Sequence, residues 1–369
     1  MSSFAPLDTK RIRVLPLAER QSMSRLKDIL VDPESPAPEC DASLADRIDQ
    51  CADAIRSARE QDATVSLIYG AHLLRNGAAL LIDELMDAGW ITHLATNGAG
   101  TIHDWEFAFQ GLSTESVREN VATGTFGSWD ETGRSLHLAL LAGGLEGKGY
   151  GESLGRMILD DGVTLPTIEL LEEQLRIKPI HPATPARAEL LQVFLTSDVE
   201  PGRHDVVHPF KHASIVAAAA RYEIPLTVHP GIGYDIISNH PLFNGAVIGR
   251  AATVDYQRFS GAIERLDGGV VLSVGSAIMG PQVFEKSLSF VNNLRLQDDR
   301  PTVSGHSIYV VDLQEGGNWD WSQGEPPKTN PAYYLRFCKS YARMGGAMQY
   351  LCHDNLAFIH HLHHRLCHG

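Results

Sequence analysis

The feature that most constrains this chain is a recurrence: short apolar runs end in glycine and give way to segments of helical period. ATVSLIYGA is a short buried strand, HLLRNGAALLIDELMDAG has helical periodicity closed by Gly89, and WITHLATNGAG is a second strand running into a glycine-rich turn. Strand, helix and strand in close succession form a βαβ unit, whose two strands must lie parallel because the helix carries the chain back. The alternation resumes with PFKHASIVAAAARYE as helix and IPLTVHPGIG as strand and turn. GGVVLSVGSAIMG follows as strand and turn, PQVFEKSLSFVNNL as a helix with Pro281 in its first turn, and HSIYVVDLQ as strand. An α/β fold with a Rossmann-like parallel sheet flanked by helices is therefore expected. Its ligands should lie at the carboxyl ends of the strands.

The 369 residues suffice for a large core. Residues 1–40, ending in VDPESPAPEC, read as an arm or linker, and 41–369 as one α/β domain whose first helix runs from Ala42 to Glu60. Against 31 Lys and Arg stand 45 Asp and Glu, a net charge of −14. Such a surface repels nucleic acid and anionic lipid and suits a cationic small molecule. Five scattered cysteines without a CxxC pair, and an opening segment without an apolar signal region, lead us to expect a reducing, cytoplasmic setting. No apolar run approaches membrane-spanning length.

Four segments carry candidate chemistry. THLATNGAGTIHDWE sets Asn97, Gly98 and Gly100 at a strand end, where glycine lets backbone amides approach a phosphate, with Asp104 following as a possible helix cap. LAGGLEGKGYGESLGRM, with Lys148, Glu152 and Arg156, lacks the Lys-Ser/Thr of a phosphate-binding loop and reads as a flexible loop or lid. VHPGIGYDIISNHP offers His229, Asp235 and His240 as acid–base groups or as a grip on a cation. The tail CHDNLAFIHHLHHRLCHG spaces His360 and His364 one helical turn apart, a spacing that permits a metal. Without a HExxH pattern or a carboxylate cluster, it reads as a solvated helix and no metal site is expected.

Together the three strand-end motifs, in AHLLRNGAALLIDELMDAGWITHLATNGAGTIHDWE, SIVAAAARYEIPLTVHPGIGYDI and GGVVLSVGSAIMG, resemble deoxyhypusine synthase and its bacterial relatives over roughly residues 65–360. The resemblance implies a homotetramer that binds NAD. It further implies oxidation of a polyamine such as spermidine and transfer of its aminobutyl group through a lysine imine. On that basis Asn97, Gly98, Gly100, Asp104, Gly231, Gly275 and Ser276 are candidates for the cofactor, and Asp235, Asp320 and Glu315 for the amine. Lys339, eight residues after Pro331 and two after Phe337, is the candidate imine carrier. The family pattern is broken at Ile102, His103, Pro230, Gly317 and Tyr333. It is broken most severely at Met279, which stands where the family has a basic histidine. A thioether takes no proton near neutrality, so His229 or His240 would have to supply the base. The implied activity is a variant amine oxidation and transfer; the alternative is a non-catalytic nucleotide- or metabolite-binding relative. A metal-dependent hydrolase is a third reading. In the family an N-terminal segment covers a neighbour's site, a role open to ERQSMSRLKDIL.

Overall fold

The computed structural model describes residues 4–317 and 319–368. Six strands make the central sheet: β1 (Val65–Tyr69), β2 (His93–Thr96), β3 (Leu226–Val228), β4 (Val270–Val274), β5 (Ser307–Asp312) and β6 (Ala347–Cys352). Every pairing in it is parallel, and the order across the sheet is β3-β2-β1-β4-β5-β6. This is the Rossmann-like order, in which the direction of winding reverses between β1 and β4. All five residues of β1 and of β4 are buried, so helices must cover both faces. Each fully buried Val, Leu or Ile among them contributes roughly 1.5–3 kcal/mol.

The helices that bear on the site are α1 (Ala42–Glu60), α2 (Ala79–Asp87), α3 (Gly98–Gln110), α4 (Asp130–Leu145), α5 (Tyr150–Leu159), α6 (Ile215–Arg221), α7 (Gly245–Glu264), α8 (Met279–Gln297), α9 (Arg336–Ala342) and α10 (Asn355–Cys367). Val65, Leu67, Val270 and Leu272 point into one core, with Ile48, Ile55, Leu81 and Phe358 of α1, α2 and α10. Ile68, Val271 and Ile308 point into the other, under Phe259, Phe284 and Tyr341 of α7, α8 and α9. Among the described residues no helix is long and apolar enough to cross a membrane.

Three local expectations give way. The helix expected over 72–89 breaks into Ala71–Arg75 and α2 at Gly77, whose φ of 90° favours glycine. The expected loop over 141–157 is the end of α4, a short turn and α5. Its glycines serve close packing, Gly143 on Ser153 and Gly151 on the carbonyl of Leu226. The C-terminal helix is buried, not solvated: Phe358, Ile359, Leu362 and Leu366 form an apolar stripe against α1 and α2 that the many histidines obscured. His360 and His364 both direct Nε2 to the carbonyl of Ser35, at 2.9 and 3.2 Å, and so pin the proline-rich segment to α10.

The N-terminal residues also pack on their own chain. Ser24 and Arg25 pair antiparallel with Leu112 and Ser113, and the buried Arg20 guanidinium donates to both oxygens of Glu106 at 2.6 and 2.9 Å. A buried bidentate pair of this kind fixes orientation as well as energy.

Candidate active site at the carboxyl edge of the sheet

Where β1 and β4 lie side by side, the turns that leave them touch. A side chain on Gly70, just after β1, would run into the carbonyl of Gly275, just after β4. Gly275 has φ 64°, and a Cβ there would sit 2.5 Å from Asn355 Nδ2 at the start of α10. The Asn355 side chain is buried, and its Oδ1 has no hydrogen-bond partner among the described residues. An unmet buried carbonyl costs about 1–3 kcal/mol. A ligand hydroxyl or amide entering the crevice would relieve that cost. Asn355 was not singled out from the sequence; its only signal is the Asp-Asn pair that follows a strand-like run.

Next along the edge, Asn97 caps α3 by accepting from Gly100 N at 2.9 Å. Gly98 makes room for Asp235, whose carboxylate lies against it, and Gly100 packs on Thr96. The start of α3 therefore holds a carboxylate already. Asp235 Oδ2 accepts from Gly231 N at 2.7 Å. Burial pushes its carboxyl up to about 6, partly countered by that bond.

Asp235 also forms one wall of a cavity of about 480 Å³, with Tyr234, Ala99, His103, Glu106 and Arg20 around it. Arg75 lines the same space, and its Nε is buried without a partner among the described residues. Arg20 and Met23, early in the chain, also line this cavity.

A polar row crosses the sheet toward the same edge. Ser66 Oγ on β1 is 2.7 Å from His93 Nδ1 on β2, His93 Nε2 is 3.2 Å from Thr227 Oγ1 on β3, and that hydroxyl is 3.3 Å from His229 Nε2. Both imidazoles stand edge-on to Phe259, with centroids 5.1 and 5.3 Å away. Burial pushes His93 down to about 3 and His229 down to about 4. Both are therefore neutral near pH 7, and a neutral imidazole accepts at one nitrogen while donating from the other. Only His229 of this row was picked out from the sequence. The rest lay hidden because polar residues inside strands carry no motif.

A larger cavity, about 710 Å³, opens at the opposite end, where the strands begin, between Thr64, Thr92, Pro225, Arg156 and Arg258. Size favours it; topology favours the carboxyl edge, because there the turns converge and the helix starts point inward. His93 reaches the wall of this second cavity, so the polar row spans the sheet from one end to the other.

The remaining expected residues lie elsewhere. Asp104 is taken up by the start of α6, accepting from Ile215 N at 2.8 Å and from the Ser214 hydroxyl. Burial pushes its carboxyl up to about 7. His240 is held 3.3 Å from Asp130 of α4 and stacks on His137 in a separate pocket of about 380 Å³. Ser276 accepts from Gly280 N at 3.2 Å at the start of α8, and Met279 is buried in the first turn of that helix. The Tyr234 ring packs over Gly231. Lys339 sits on α9 with Nζ 3.6 Å from the centroid of the Tyr333 ring. Asp320 is exposed and caps the short turn Trp321–Gln323, and Glu315 lies exposed in the segment leaving β5. The structure thus gathers Asn97, Gly98, His229, Gly231, Asp235, Gly275 and Ser276 along one edge and disperses Asp104, His240 and Lys339.

No family model matches this chain, and no curated protein matches it either. Solved structures similar to it include apo ArgZ, described as an arginine dihydrolase from the ornithine–ammonia cycle in cyanobacteria. It is 14% identical with TM-score 0.40, over 87% of this chain and 32% of that one. AgrE in a ternary complex with ornithine and NAD+ is 12% identical with TM-score 0.42, over 89% and 34%. A putative LOR/SDH protein from Methanococcus maripaludis S2 is 13% identical with TM-score 0.44, over 96% and 74%. The chain spans about a third of the length of the first two structures it matches, ArgZ and unliganded AgrE.

Proposed function

We propose that the carboxyl edge binds an NAD-type dinucleotide beside a small amine and that the protein oxidises that amine. The observation that carries this reading is the reversal of winding between β1 and β4, with Gly70 and Gly275 in contact there and the buried Asn355 amide, its Oδ1 unmet, packed on Gly275. In an open parallel sheet this is the position where a dinucleotide is accommodated. Asn355, Gly70, Gly275 and Ser276 would line its place. The start of α3 is less suited to a phosphate, because the Asp235 carboxylate already lies against Gly98.

When bound, a nicotinamide supplies a two-electron acceptor; the rest falls to the chain. Asp235, inside the 480 Å³ cavity, would pair with the substrate ammonium. Losing a hydride and a proton converts a primary amine to an imine. His229, neutral and backed by Thr227, His93 and Ser66, would take the proton and pass it along the row. Aminobutyl transfer through Lys339 would need that side chain to leave the Tyr333 ring, so oxidation without transfer is the form of the reaction the geometry favours.

The test is calorimetric titration of the whole protein with NAD, with and without spermidine or a simple diamine, beside thermal melting. A ligand that binds only the native state raises Tm by mass action. Binding of NAD that Asn355→Ala weakens, together with reduction of NAD in the presence of an amine, supports the reading. Absence of NAD binding refutes it; NAD binding without turnover on any amine leaves a nucleotide-binding protein.

A further inference from the structure

At the C-terminal end of α10 three metal-ligating groups converge: Glu84 of α2, His363 of α10, and His368 just beyond α10. Their donor atoms all lie within 4.8 Å of one another. They are not the pair that sequence spacing suggested, since His360 and His364 are committed to the Ser35 carbonyl. The His363 side chain is fully buried; its Nε2 is 2.6 Å from Glu84 Oε2, and its Nδ1 has no partner among the described residues. The His363 and His368 rings are 5.2 Å apart.

The Glu84 carboxylate meets the buried His363 ring across that 2.6 Å contact. Among the described residues, Glu84 has no other ionic partner. Two imidazoles and a carboxylate are the donor set of a borderline divalent ion such as Zn²⁺, which binds N and O at about 2.0–2.2 Å and so holds its ligands roughly 3.3 Å apart. The donors reach that spacing when the exposed His368 ring turns inward and the 2.6 Å contact between His363 and Glu84 opens to admit the ion.

We infer that Glu84, His363 and His368 form a site for a Zn²⁺-class divalent cation that fastens the C-terminal helix to α2, with water completing the coordination. The whole chain, stripped with a chelator, is titrated with Zn²⁺ and separately with Co²⁺. One equivalent of either ion binds, Tm rises, and Co²⁺ develops the visible absorption of a four-coordinate N/O site. His368→Ala and Glu84→Gln, both at positions with solvent access, each weaken binding on the order of tenfold or more. His212→Ala, an exposed histidine elsewhere, leaves it unchanged. His363→Ala is less informative because the ring is fully buried. Failure of either ion to bind at tens of micromolar overturns the inference. So does native affinity in either His368→Ala or Glu84→Gln.

Discussion

Replacing Gly98 by Ala probes the contact on which the candidate site depends. A methyl there would stand 2.7 Å from Asp235 Oδ1 and closer still to Oδ2 and Cγ. The carboxylate must swing aside, and its 2.7 Å bond to Gly231 N goes with it. Elsewhere in a helix, Gly→Ala stabilises by about 1 kcal/mol. Here overpacking costs about 1–3 kcal/mol, and the lost hydrogen bond to a charged group about 1.5–3 kcal/mol. The substitution should therefore destabilise, by a net amount on the order of 1.5–5 kcal/mol. With Asp235→Ala the obstruction disappears, and Gly98→Ala in that background, at the first helical position, should cost nothing or stabilise by up to about 1 kcal/mol. Urea denaturation of the two single variants and the double variant closes a cycle, and its coupling should exceed about 1 kcal/mol. Effects that add to within about 0.5 kcal/mol, or a Gly98→Ala chain more stable than its parent, would mean Asp235 does not rest on α3.

Other consequences are as direct. Because the Asp235 carboxyl sits at about 6, affinity for a cationic amine should rise as pH passes upward through that value; Asp235→Asn should abolish the rise and weaken binding on the order of tenfold or more, measured by calorimetry across pH. If His229 takes the proton, His229→Ala should lower kcat by about 10²–10⁴ with little change in KM, and Thr227→Val, which cuts the row behind it, should lower kcat without altering melting in proportion. Asp104 is lifted by burial to about 7 in the folded chain, above its unfolded value of about 3.9. Its contribution is therefore fully present below about pH 4 and is lost as pH rises toward 7; Asp104→Asn should flatten stability over that window in urea melts at stepped pH. Borohydride in the presence of an amine-derived aldehyde should leave Lys339 unmodified while its ammonium stays on Tyr333, and mass spectrometry showing a stable adduct at Lys339 would restore aminobutyl transfer.

The sheet was legible because parallel strands buried on both faces must be written in apolar residues, and VSLIY and VVLSV leave no other use for themselves. The glycines at 98 and 275 marked the strand ends for the same reason that they matter there: a side chain would collide with the Asp235 carboxylate or with Asn355. What stayed hidden depends on distance along the chain. Asp104 reads like a strand-end acid, yet α6 returns to take its oxygens. His240 follows Asp235 closely in sequence but is drawn off by Asp130. The row from Ser66 to His229 joins three strands, and no local pattern announces it. The resemblance to deoxyhypusine synthase drew attention to the carboxyl edge of the sheet, while the positions it assigned to Lys339 and Asp104 are occupied with other contacts.

The pairing of β1 with β4 also bears on how the protein assembles. β1, β2 and β3 precede β4 in the chain, and the register Val65↔Val270 joins segments separated by most of its middle. Closing so long a loop is entropically slow compared with forming either flank. The two halves of the sheet can thus gain structure separately, and the turn of Gly70 against Gly275 forms only when they dock. The crevice is then among the last features to exist during folding. Any ligand lodged there holds the two halves together, so partial unfolding that parts them should empty the crevice before either half melts.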